Sequence, residues 1–214
     1  MEDKVHDIAD RMGNTDADTN SVDTVDADAD TTVDVGAEAA LRLDEEDFLE
    51  ALGLAFQKYG YDPSIIEQGE YPLTLSVEFP DTDGSKLEAT ILFVPLEFLT
   101  GDDVQTLQIY FHLYTFGRNY PRYKLLELEH AANYCSCNSP IGTFGVQPEP
   151  GMLCCKQALA LRGVYGEINA LTMTLDAFLL MLNSINMFYD GLIAIAKGET
   201  NLEKAQRDNI FPPQ

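Results

Sequence analysis

VQTLQIYFHLYTF, residues 104–116, alternates at period two, and its reading decides the fold. Leu107, Ile109, Phe111 and Leu113 fall on one face, as apolar as a core strand requires. Gln108, Tyr110, His112, Tyr114 and Phe116 fall on the other, which is aromatic and amphipathic. A strand with two such faces predicts a sheet that packs helices on one side and meets something else on the other.

Upstream lie two more strands. YPLTLSVEF (71–79) alternates, with Tyr71, Leu73, Leu75, Val77 and Phe79 on one face and Thr74, Ser76 and Glu78 on the other. Pro80 and DTDG (81–84) make a turn. KLEATILFVPLEFL (86–99) becomes apolar on both sides at Ile91–Val94, as a central strand does, and Pro95 marks its end or a bulge. Connections this short favour an antiparallel meander. Ahead of them DEEDFLEALGLAFQKYG opens with acids and carries Phe48, Leu52, Ala55, Phe56 and Tyr59 at helical spacing, until Gly60 and Pro63 stop it.

Downstream, Pro121 opens a helix, PRYKLLELEHAANYC, with Leu125, Leu128 and Ala132 on its buried side. A hairpin follows: IGTFGVQ (141–147), the turn PEPG (148–151) and MLCCKQALALR (152–162). A last helix spans about Leu175 to Lys197, with Phe178, Met181, Leu182, Ile185, Phe188, Leu192 and Ile195 on one broad face. Leu180 and Met187 sit in its polar half and form a candidate contact patch. The expected class is α+β: an antiparallel sheet in the order α-β-β-β-α-β-β-α over residues 44–200. A disordered acidic tail (1–43) precedes it, and a helical turn with a short tail (201–214) follows.

The 214 residues carry 36 Asp and Glu against 13 Lys and Arg, a formal charge of -23. Residues 1–43 hold 12 of the acids and 3 of the bases. A body this acidic repels phosphate backbones and anionic lipid, so neither nucleic acid nor a membrane surface is an expected partner. A basic or neutral protein fits better. The N-terminal MEDKVHDIADRMGN has no apolar core of a secretory signal. Asp176, Asn183, Asn186 and Asp190 interrupt the last helix and argue against a membrane span. The expectation is a cytoplasmic protein with four reduced cysteines.

No motif for chemistry is complete. Asp26, Asp28 and Asp30 have the spacing of a calcium loop, but Thr31 stands where Gly is needed and Ala37 where the bidentate Glu should be. Cys135-x-Cys137 and Cys154-Cys155 offer four thiols, yet adjacent strand residues point to opposite faces and cannot easily share an ion. Cys135 and His130, five residues apart on one helix, lie about 140° apart around its axis. Nucleophile elbows and phosphate loops are absent from the sequence. The expectation is no enzyme, no metal and no cofactor.

The element order resembles type III secretion chaperones and the similarly built YbjN-like bacterial proteins. The likeness covers about residues 44–200 and is strongest in LLELEHAANYCSCNSPIGTFGV (125–146), PEPG (148–151) and IAIAKGETNLEKA (193–205). The resemblance implies a small acidic protein, often dimeric, that holds other polypeptides and catalyses nothing. The expected function is therefore a chaperone-like or regulatory module holding a polypeptide client, as a homodimer. The alternative is an acidic inhibitor or immunity-type protein that neutralises a basic toxin or nuclease. The contact residues expected are Tyr110, His112, Tyr114, Leu180 and Met187, the aromatic face being either the binding surface or the side covered by a second subunit.

Overall fold

The computed structural model describes residues 42–67, 69, 72–80, 86–95, 104–117, 119–163 and 166–211. The calcium-like run and residues 1–41 of the acidic tail lie outside them, as do the turns at 81–84 and 101–103. The fold is α+β. In chain order it comprises α1 (Glu45–Lys58), β1 (Asp62–Ile66), β2 (Thr74–Pro80), β3 (Lys86–Val94), β4 (Gln105–Thr115), α2 (Arg122–Asn138), β5 (Thr143–Gln147), β6 (Met152–Leu161), α3 (Glu167–Lys197) and α4 (Leu202–Arg207).

Among the described residues the strands form one antiparallel sheet in the order β1-β2-β3-β4-β6-β5. β1 to β4 make the expected meander with one strand added. Pro63, read from sequence as a break, lies within β1 opposite Val77. An edge strand tolerates a residue without an N–H, which is why proline survives there. α2 then carries the chain to the far edge, and β6 returns to pair with β4.

Helix α1 starts where Asp44 accepts the N–H groups of Glu46 and Asp47, both at 3.1 Å. Glu45, Glu46 and Asp47 add charge that the helix N-terminus favours. Its start is tied to the sheet through Gln105, whose side chain accepts from the Leu43 N–H at 2.8 Å and donates to the Leu43 carbonyl at 3.1 Å. Leu43, assigned to the tail from sequence, thus belongs to the domain.

One core joins the helices to one face of the sheet. Phe178 of α3 is its hub, with ring centroids 4.6 Å from Phe56, 5.0 Å from Phe111 and 5.5 Å from Phe79. α3 begins two turns earlier than the periodicity predicts. Those turns contain Asn169, Thr172 and Thr174, weak helix formers whose place is set by the burial of Ala170 and Thr174. On length and composition α3 could cross a membrane; here Phe178, Met181, Ile185 and Phe188 are buried in the core. Left-handed Gly198 closes it, with Glu199 N–H on the Ala194 carbonyl at 2.9 Å. Residues 201–211, read as a tail, instead fold back. Asn201 caps α4, Leu202 N–H donates to Glu127 at 2.8 Å, and Phe211 is 1 % exposed between Phe188 and Tyr134.

Candidate functional site

The face of the sheet turned away from the core has no described element packed on it. Register places its residues in rows across the strands. Asp62, Glu78, Glu88, His112 and Cys154 form one row; Ser64, Ser76, Thr90, Tyr110, Lys156 and Thr143 form the next. The first row starts with three acids on neighbouring strands. Ser76 donates to Glu88 at 2.9 Å.

The expected contact residues divide. Tyr110 and His112 lie on this open face, half-buried. The Tyr110 hydroxyl donates to Met152 Sδ at 3.5 Å. Burial, and then a hydrogen bond and charge from Cys154, push its phenol pKa up. His112 Nε2 lies 2.7 Å from Thr115 Oγ1.

Tyr114 does not continue that face. The register shifts between His112 and Tyr114, which puts Tyr114 opposite Leu153, a core residue. One extra residue in a strand reverses the parity beyond it. Tyr114 therefore packs against the core, and Phe116, also read onto the aromatic face, is 6 % exposed. Leu180 and Met187 are 49 % and 44 % exposed on the outward side of α3. Since α3 packs on the core face, they and Tyr110 point to opposite sides of the domain.

Cys154 and Cys155 point to opposite faces, as strand geometry requires. Burial pushes the Cys135 and Cys155 thiols up to about 12. His130 is exposed while Cys135 is buried, so the two do not pair. Among the described residues no cluster of three His, Cys, Asp or Glu is placed to hold a metal ion. A direct consequence is selective labelling. Iodoacetamide at pH 8 should modify exposed Cys137 and spare Cys135 and Cys155 until the protein is denatured, as mass spectrometry of digests would show. The same shifts set an alkaline limit. The native state holds these two protons more tightly than the unfolded chain, so their contribution is complete below the ordinary thiol value of 9 and is lost as pH rises towards 12. The urea midpoint should fall between pH 8 and pH 10.5.

What sequence reading missed is an edge. Strand β5 spans five residues and β6 ten, and β5 covers only Met152–Lys156 of its neighbour. The unequal arms of the hairpin were the available signal. β5 itself is guarded: Ser136 of α2 accepts the Phe144 N–H at 2.8 Å and donates to the Phe144 carbonyl at 3.0 Å. Phe144 thus turns its backbone outward, so Thr143 and Gly145 turn theirs to Lys156 and Cys154. By the same alternation Ala158 and Ala160 present N–H and C=O to the side that β5 has vacated.

Gly142, at φ 85°, turns the chain out of that column. Gln157 fills part of it, accepting the Gly142 N–H at 3.2 Å and donating to the Ala158 carbonyl at 2.9 Å. Beside it a hollow of about 280 Å³ is lined by Gln108, Thr143, Lys156, Gln157 and Ala158.

No family model matches the chain, and no curated protein or solved structure matches it.

Proposed function

We propose that this protein is a non-catalytic, cytoplasmic polypeptide-binding module of the secretion-chaperone-like kind, holding its client on the open face and edge of the sheet. The observation that carries the reading is the contrast between the two edges of the β5–β6 hairpin. β5 is capped by Ser136, while the Ala158 N–H and both backbone groups of Ala160 have no partner among the described residues. Strand edges of this kind are normally covered or charged, because they pair with other chains. Tyr110 and His112 extend the same surface. Self-association belongs to this reading too: Met173, Leu180 and Met187, 44–49 % exposed, recur every seven residues along the outward side of α3.

A photo-crosslinking residue in place of Gln108 tests the reading in the native cell. One recurrent polypeptide should be trapped there, and not with the same residue in place of Glu129 on α2. Absence of any polypeptide adduct at position 108 would sink it. The row Asp62–Glu78–Glu88 favours a second reading, an acidic inhibitor of a basic protein. Under that reading the trapped partner is basic, and its affinity falls steeply with salt.

A further inference from the structure

We propose that the bare edge of β6 takes one extended strand of a partner polypeptide, antiparallel to β6 and in line with β5, whose residue opposite Ala158 is Asp or Glu. This rests on the polypeptide-binding reading and specifies its site and its ligand.

The backbone sets the geometry. Ala158 and Ala160 face the vacated column, and the Ala158 carbonyl already accepts from Gln157. The Ala158 N–H and both backbone groups of Ala160 have no partner among the described residues. Two hydrogen-bonding residues separated by one are what an antiparallel strand needs. A sheet antiparallel throughout extends most simply in the same sense.

The side chains select the sequence. A residue opposite Ala158 projects onto the open face, where Ala158 leaves the hollow unfilled. At about 280 Å³ the space lies just under the range of small-molecule pockets and suits a single side chain. Its lining supplies an ammonium from Lys156, a hydroxyl from Thr143 and an amide from Gln108. Lys156 is exposed and has no ion-pair partner among the described residues, so a carboxylate is the complementary group. The preceding partner residue falls opposite half-buried Leu159 on the core face, where an aliphatic side chain covers it. The motif, read N to C, is aliphatic then acidic. Its flanks are neutral or basic, because a chain of charge -23 repels acidic ones.

The test pans a phage-displayed random dodecapeptide library on the full chain and measures a selected peptide by titration. Enriched peptides should carry the aliphatic–acid pair, and the Ala158 and Ala160 amides should gain protection from hydrogen exchange on binding. Ala160→Pro removes the outward N–H without touching the β4 pairing and should weaken binding about tenfold or more, with the fold intact by circular dichroism. Lys156→Glu should turn the preference at the acidic position to Lys or Arg. Enriched peptides that bind Ala160→Pro and Lys156→Glu unchanged would overturn the edge assignment and leave the polypeptide-binding reading standing. A library with no enrichment counts against both. A dimer in sedimentation that Ala160→Pro dissolves would overturn the proposal differently, by showing a second copy of this chain on the edge.

Discussion

Phe178→Ala should destabilise the domain by about 3–5 kcal/mol. At this size that lowers the melting temperature by roughly 10 °C, since each kcal/mol moves it about 2–4 °C. The reason is position. The ring is fully buried and meets Phe56 of α1, Phe79 of β2 and Phe111 of β4 within 5.5 Å, so one side chain joins α3 to the sheet and to α1. Aromatic pairs in tilted geometry add about 0.5–1.5 kcal/mol beyond their buried area, and three such pairs are lost together. Phe178→Leu should recover part of the loss, because it returns volume without the ring contacts. Urea unfolding with an unchanged slope would show that stability fell and cooperativity did not. A loss under about 1 kcal/mol for the alanine variant would mean that the helices are held elsewhere.

The hub was partly visible before the structure. Phe56, Phe79, Phe111 and Phe178 each fell on the apolar face of a periodic segment, and periodicity is what burial on one side imposes. The strand opened by Val104 was legible for the same reason, up to His112. Beyond it an inserted residue reversed the alternation, and no local signal in YTF marks that insertion. Tyr114 and Phe116 consequently changed sides, which removed Tyr114 from the contact face. Pro63 misled because its chemistry speaks against a central strand and says little about an edge.

The edge of β6 left uncovered among the described residues follows from how far one strand outruns another. The sequence suggested unequal arms for the hairpin, but register and the turn at Gly142 decide which residues are uncovered. Side chains facing solvent carry little periodic information, so Ser136 as a guard and Lys156 as a selector were not legible. The open face also shows why net charge alone describes a partner poorly. The acids of the Asp62 row and the ammonium of Lys156 stand two strands and more apart on one surface. A segment crossing it meets both signs.

Gly191→Ala should have opposite effects in two backgrounds. In the natural chain a Cβ at Gly191 would run into Cε1 of Phe211 and lie 2.8 Å from its Cδ1 and Cζ, too close for either ring or helix to keep its place. The cost of forcing that contact, about 1–3 kcal/mol, exceeds the gain of about 1 kcal/mol from replacing glycine inside a helix. Removing the ring reverses the balance. Phe211→Ala alone should cost about 3 kcal/mol by emptying the space between Phe188, Tyr134 and α3. In that background the three nearest contacts of the added Cβ, all on the Phe211 ring, are gone, so Gly191→Ala fills part of the void, keeps its helical advantage and should stabilise by about 1 kcal/mol. A double-mutant cycle by urea unfolding measures the coupling. Equal effects of Gly191→Ala in both backgrounds would mean that Phe211 does not occupy this seat. The result bears on the binding surface as well. Phe211 stacks on Tyr134, two residues before Ser136 on α2, and Ser136 is what closes the edge of β5. If unseating Phe211 lets α2 shift, Phe144 loses its cap, and hydrogen exchange at the Phe144 amide should rise before that of the central strands. In that case the C-terminal segment helps keep the edge of β5 closed.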